Sequence, residues 1–459
     1  MKKIVISAIT SLLLFGTQLC TAQVPVDPES REIRHILAAG VSAERIEEDI
    51  LKLVSFGTRH TLSETESATR GIGAARRWVE QEFKNISRDC GGCLEVFTVG
   101  DVISGENRIP EPTEVVNVVA IQRGTLDPDR MVMMAGDIDS RVSDPLDGTS
   151  DSPGANDNAS GLAGTIEAAR VLSKHQFAGS IVYAGLSGEE QGLFGGKILV
   201  ERALASGWNI KAVLNNDMIG NITGIDGVTD NSTARVFSEG TRYVETEEEA
   251  AIRRRSGGEV DSPSRNIARY VDRMADKFIP NLDVMMIYRL DRFGRGGHHR
   301  PFNERGIPGV RIMETHEHYH RQHQDLRTED GIEYGDVIES VDFDYARKLT
   351  ALNVVTLAGM ASAPPFPAKV TIEGAVQPNT TLSWSLPEGR AAENLAGYKV
   401  YWRLTTDAQW TWSRYIGLTD TYRLENIVID NYLFGVASVS INGYESPVVF
   451  PGATGSFGE

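Results

Sequence analysis

Five short segments between residues 136 and 325 place acids and histidines where they could hold metal ions. In chain order they are Gly136-Asp137-Ile138-Asp139-Ser140, Pro153-Gly154-Ala155-Asn156-Asp157-Asn158, Ser187-Gly188-Glu189-Glu190-Gln191-Gly192, Asn215-Asn216-Asp217-Met218, and the histidine-rich run from His316 to Asp325. Asp137 and Asp139 are two apart, so an extended chain points both to one side: one can bind a cation while the other orients a neighbour. Asp157 sits in a Gly-flanked turn before a helical stretch, where a carboxylate can bridge two cations. Adjacent Glu189 and Glu190 point in different directions, so one can bind metal while the other handles a proton. His316, His318, His320 and His323 form the one dense histidine cluster of the chain. Singly, each segment has a plainer use. An Asp before a helix caps it, paired glutamates cover a solvated face, and histidines occur in exposed loops. The ordered set is more specific than its members.

The elements that must position these residues are legible in the apolar pattern. Val115 to Ile121, Met131 to Ala135, Ile181 to Leu186, Ala212 to Asn215 and Val310 to Met313 are near-continuous apolar runs. Such runs suit strands covered on both faces. Helical spacing appears over 43–53, 65–83, 161–174 and 191–205, predicting an α/β domain over residues 30–360. Each acid then falls at a strand end or a helix start, where open α/β sheets bind ligands. Residues 221–296 are polar and Gly-rich with one helical stretch at 264–278, and are expected as an insertion over the sheet. Ala361 to Pro367 carries three prolines and is expected as a linker. Beyond it, short aromatic-rich strands over 368–452 predict an all-β sandwich of about ninety residues. That segment resembles a fibronectin type III domain through Trp384, the Gly397 to Trp402 strand and the Tyr432 to Val439 strand.

The five segments together resemble the co-catalytic zinc aminopeptidases, the clan that also holds plasma carboxypeptidase Q and the glutaminyl cyclases. The resemblance spans roughly residues 40–360, including Gly57-Thr58-Arg59-His60-Thr61. It implies a three-layer α/β/α sandwich with a mixed, mostly parallel sheet and two divalent metal ions, zinc in the family. Carried over, Asp157 bridges the ions, Glu190 and His320 complete one site, and Asp137 and Asp217 serve the other. Glu189 matches the general base. Tyr319-His320 matches the family's Tyr-His, which selects His320 over its neighbours, and Asp139 matches the acid beside the first ligand. Gly296 to Phe302 resembles a segment that often reads Asp-His-x-x-Phe, so His299 would contact substrate or the tetrahedral oxyanion, while His298 stands where Asp is usual. The first motif normally has His where this chain has Asp137. A carboxylate there makes the site less positive and more tolerant of manganese or cobalt. The expected activity is removal of N-terminal residues from peptides, the cationic α-amine meeting an acid-rich site. Two alternatives share the residues: a single-zinc transferase of the glutaminyl cyclase kind, and an inactive binding or adhesion protein.

Composition narrows the rest. With 41% hydrophobic and 24% charged residues the 459-residue chain is globular. A net charge of −17 excludes a nucleic-acid partner, which would need a basic face. Lys2-Lys3, an apolar run to Phe15 and Cys20-Thr21-Ala22 read as an export signal over residues 1–22. Its removal leaves 44 basic against 63 acidic residues, a net −19. The expected location is periplasmic or extracellular, with no transmembrane segment. Cys90 and Cys93 then remain, and precede a strand-like Leu94-Glu95-Val96-Phe97, so a structural disulfide is expected over a redox pair.

Overall fold

A computed structural model describes residues 28–458, so the expected signal lies outside the described residues. Among those described, no helix is long and apolar enough to cross a membrane. The described residues open with three helices, α1 (Pro28–Ala39), α2 (Ala43–Val54) and α3 (Gly71–Asp89). There follow β1 (Leu94–Ile103), β2 (Thr113–Gln122), β3 (Asp127–Asp137), α4 (Gly161–Leu172), β4 (Gly179–Leu186), α5 (Phe194–Ala205) and β5 (Asn209–Asn216). Then come β6 (Thr233–Phe237), α6 (Glu247–Ser256), α7 (Pro263–Phe278), β7 (Asp283–Ile287), α8 (His299–Asn303) and β8 (Gly309–Glu314). A hairpin of β9 (Arg327–Glu329) and β10 (Ile332–Tyr334) leads to α9 (Phe343–Ser362). The strands form one eight-stranded sheet in the order β1-β2-β4-β3-β5-β8-β6-β7. Its centre, β4-β3-β5-β8, is parallel, while β1, β2 and the β6–β8 pairing are antiparallel.

Alternation along each strand builds the three layers. Val118, Val132, Met134, Ile181, Tyr183 and Leu214 face one side and join the core made with α2, α3, α4, α7 and α9. Val119, Met131, Met133, Val182, Leu186 and Val213 face the other and pack on Leu199 and Val200 of α5 and Phe302 of α8. With both faces covered, every residue of β4 is buried, which is why these strands read as unbroken apolar runs. The parallel register brings the ends of β3, β4 and β5 level, Asp137 opposite Leu186 and Ala135 opposite Asn215.

Three expectations need correction. Residues 221–296 do not merely lie over the sheet: β6 and β7 widen it at one edge, pairing through β8. Both strands are only five residues long, too short to stand out in a polar segment. The helix expected at 65–83 begins at Gly71 and runs to Asp89, because residues 61–70 form turns. The supposed linker is packed rather than free. α9 runs into it as far as Ser362, Ala361 and Ala363 are fully buried, and Arg130 donates to the carbonyls of Met360 (2.9 Å) and Ala363 (2.7 Å).

The C-terminal part is a separate pair of antiparallel three-stranded sheets. One is β11 (Ala368–Glu373), β12 (Thr380–Ser385) and β15 (Thr421–Leu424); the other is β13 (Leu395–Leu404), β14 (Trp412–Gly417) and β16 (Tyr432–Ser440). Trp384 and Tyr398 meet between them, ring centroids 5.0 Å apart. Cys90 and Cys93 are joined by a disulfide ahead of β1.

Candidate active site

The sheet's carboxyl edge assembles the site because two glycines let three elements crowd together. A Cβ on Gly136 would lie 2.5 Å from the Gly161 carbonyl carbon, and one on Gly161 would lie 2.3 Å from the Asn216 carbonyl oxygen. The end of β3, the end of β5 and the start of α4 therefore touch through backbone, and Asp137, Asp217 and the Asp157 loop are drawn to one place. Arg59, fully buried, ties the loops on this edge by donating to the carbonyls of Ile138 (2.8 Å) and Gly154 (2.9 Å). Asp336 accepts from the backbone amides of Asn156 (2.9 Å) and Asp157 (2.6 Å), fixing the backbone of the loop that carries Asp157. Asp139 accepts from the amides of Glu189 (3.2 Å) and Glu190 (3.1 Å).

Asp157, Glu190 and His323 converge. His323 Nε2 lies 3.0 Å from Asp157 Oδ2 and 2.9 Å from Glu190 Oε1, and the three ligand atoms lie within 4.8 Å of one another. Arg141 donates to Glu190 Oε2 (2.7 Å) and lies 2.8 Å from His323 Nδ1, and Gln322 donates to Asp157 (3.2 Å). Burial opposes ionisation of Asp157 and Glu190, but the His323 contact outweighs it and both carboxyls lie below their ordinary range. The imidazole is correspondingly pushed up to about 9: burial lowers it and the two carboxylates raise it more. Two oxygens and one imidazole nitrogen, open to a cavity of about 480 Å³ lined also by Glu189 and Asp217, match a catalytic zinc site with a free position. Burial, reinforced by Glu190, Asp217 and Asp137, pushes the Glu189 carboxyl well up, as a group that takes a proton requires.

The expected second metal position does not fit an ion. Asp137 has both oxygens engaged, Oδ1 with His298 Nδ1 (2.5 Å) and Oδ2 with Asn158 Nδ2 (2.7 Å). Asp217 Oδ2 faces the fully buried guanidinium of Arg311 at 2.6 Å. Asp217 thus already meets a full positive charge, and Arg311, from the middle of an apolar strand, gave no signal in the sequence. Asp137 and His298 are the two positions where the chain departs from the family pattern, His to Asp and Asp to His. The structure puts them in contact, so the pair is exchanged rather than lost.

Three other residues fall elsewhere than expected. His320 packs its ring on Tyr334 (centroids 4.7 Å apart) and on His318 (5.5 Å), and Tyr319 is 55% exposed, so neither reaches the acids. The turn through 318–321 carries them outward, and His323, with a left-handed φ of +51°, swings its ring back in. His299 is buried and bonds the Leu290 carbonyl (2.9 Å) beside Asp291, away from the cavity, whereas His298 reaches the site. Lowered to about 4 chiefly by burial, His299 stays neutral.

Comparison with known proteins gives the family and the fold. The model of peptidase family M28 matches residues 117–340, the span that holds every site residue above. A protein of Leptosphaeria maculans named "probable zinc metalloprotease" is 43% identical over 427 residues, 93% of this chain and 98% of its own length. One of Pyricularia oryzae with the same name is 41% identical over 415 residues, 90% of this chain and 82% of its own. Among solved structures, the LapA aminopeptidase of Legionella pneumophila superposes with a TM-score of 0.52 at 18% identity, over 79% of this chain and 77% of its own, a likeness of fold. The chain belongs to peptidase family M28.

Proposed function

We propose that this protein is an exported zinc exopeptidase that removes N-terminal residues from peptides, with one metal ion per chain. The observation that carries the reading is the convergence of Asp157, Glu190 and His323 beside Glu189 on an open cavity. These three residues would hold the ion, and zinc there would polarise the scissile carbonyl and acidify water. Glu189 takes the proton of the attacking water and passes it to the leaving amine. Arg141 keeps Glu190 turned toward the ion by holding its second oxygen. Asp139, through the two amides it accepts, sets the Glu189–Glu190 backbone. Asp217, paired with Arg311, borders the floor of the cavity. The residue 1–22 signal and the Cys90–Cys93 disulfide support export. The C-terminal sheets, fibronectin type III-like in sequence, serve as a fixed buttress.

The test is to purify the mature chain, measure zinc, and assay amino-acid p-nitroanilides and dipeptides alongside Glu189→Gln. One zinc per chain and turnover that falls about 10²–10⁴-fold in the variant are expected. Wild type as inert as the variant would sink the peptidase reading, and two tightly held ions would sink the single-ion one. The one-ion donor set also favours a second reading, a glutaminyl cyclase-like transferase; cyclisation of glutaminyl peptides without hydrolysis would establish it.

A further inference from the structure

The cavity above the acids has a basic wall. Arg108, Arg141, Lys197, Arg292, Arg295 and Arg300 line it, in a chain whose net charge is −17. Acidic neighbours neutralise only part of this. Arg141 is spent on Glu190, and Arg300 faces Glu304 at 3.4 Å. Arg292 (3.0 Å) and Arg295 (2.9 Å) share the carboxylate of Glu317, which already pairs with Arg235 (2.9 Å), and Arg292 also lies 3.4 Å from Asp291, itself shared with Arg311. With Asp217 set against Arg311, these four guanidiniums meet three carboxylates and leave a surplus of one positive charge. Arg108 donates to the backbone carbonyl of Glu190 (2.6 Å) and Lys197 lies over the Phe194 ring at 4.5 Å. Neither has a carboxylate partner among the described residues. Like charges gathered in a concave surface repel each other, and a chain with 63 acids could have neutralised them.

We infer that this wall binds a carboxylate on the leaving-group side of the scissile bond, so that the preferred substrates are very short or acidic peptides. The inference rests on the peptidase reading for which bond is cut, but not for whether a carboxylate binds. A cavity of about 480 Å³ is the size of a small-ligand pocket and accommodates a di- or tripeptide. The basic wall matches the carboxylate end of such a peptide. Arg108 and Lys197, free of acids, are the residues that select the carboxylate. Arginine can grip it through two parallel hydrogen bonds. The carboxylate can be the free C-terminus or an Asp or Glu side chain one residue beyond the bond.

Calorimetry on zinc-loaded Glu189→Gln protein, which binds without turnover, separates these sources. Ala-Ala, Ala-Ala-amide and Ala-Glu-amide are the probes. Ala-Ala is expected to bind about tenfold or more tighter than its amide, the contribution of one charge-assisted hydrogen bond. If Ala-Glu-amide binds as tightly as Ala-Ala, an acidic side chain serves equally. Adding Arg108→Gln and Lys197→Gln should bring the three peptides to within about threefold of each other, zinc content confirming the fold. Equal binding of all three to the parent protein overturns the inference, and so does a preference that survives loss of both cations. Wild-type hydrolysis of p-nitroanilides with no such preference would leave the peptidase reading standing alone. Selective binding without hydrolysis of any substrate would leave the carboxylate site and remove the peptidase.

Discussion

Removing the imidazole of His323 should empty the metal site, because Asp157 and Glu190 would be left as two carboxylates without the nitrogen donor that completes the trio. We expect His323→Ala to lose its zinc on dialysis while His320→Ala keeps it; zinc retained by the first and lost by the second would reverse the assignment. The exchanged pair makes a second prediction. Asp137 and His298 are each almost wholly buried and in contact at 2.5 Å. Burial pushes the Asp137 carboxyl up to about 8 and the His298 ring down to about 4, so the contact is a hydrogen bond whose total charge is small. Asp137→His or His298→Asp alone should each destabilise the protein by about 1–3 kcal/mol, the usual cost of leaving a buried hydrogen-bonding group without its partner. The double exchange should recover most of it, as urea unfolding of all four proteins would show. Additive losses in the double variant would deny the coupling. Asp137→His alone should leave zinc at one per chain, since Arg311 still holds Asp217.

At the scale of elements, the site depends on how closely β3, β5 and α4 approach. Gly161 leaves no room for a methyl group, since its Cβ would overlap the Asn216 carbonyl at 2.3 Å. Gly161→Ala should therefore cost about 1–3 kcal/mol of stability as an overpacked core does. It should also weaken zinc binding, because the displaced α4 start carries the Asp157 loop with it. Reduced stability with wild-type zinc affinity would mean the loop is positioned independently of α4. The strands that carry this edge were readable from apolar runs, because strands buried on both faces have no polar alternation to obscure them. β6 and β7 were not readable, because edge strands of five residues mix polar and apolar positions.

For the whole molecule, the two parts behave as one packed body. A single apolar cluster runs from the sheet's helices through Phe366 to Trp384, Tyr398 and Phe434. Asp261, fully buried between the parts, binds Arg269 of α7 (2.8 Å) and Arg403 of β13 (2.8 and 2.9 Å). Glu445 accepts from Lys399 (3.0 Å) and from Tyr401, and lies 3.7 Å from Arg273 of α7. Burial raises its carboxyl, but Lys399 and Arg273 outweigh that and hold it down at about 2 against an ordinary 4.5. A depressed acid contributes stability that is complete above its unfolded pKa and is lost as pH falls through the folded one. The protein should lose up to about 3 kcal/mol between about pH 5 and pH 2 from this group. Glu445→Gln should flatten that part of the urea-midpoint profile; a profile identical to wild type would show that Glu445 does not supply it.

The sequence by itself determined the layered α/β domain, the β-rich C-terminal part, the Cys90–Cys93 pairing and the placing of Glu189, Glu190 and Asp157 at strand ends and a helix start. These follow from local pattern and from short segments whose spacing is set within one strand end or turn. Only the tertiary structure decided which of four clustered histidines faces the acids, because a left-handed turn at His323 and a ring stack at His320 are not encoded in spacing. It alone revealed Arg311 against Asp217 and His298 against Asp137, contacts 94 and 161 residues apart in the chain. It also gathered six scattered cations on one wall of an acidic protein. Charges from distant segments become a field only when the fold brings them within a few ångströms of each other.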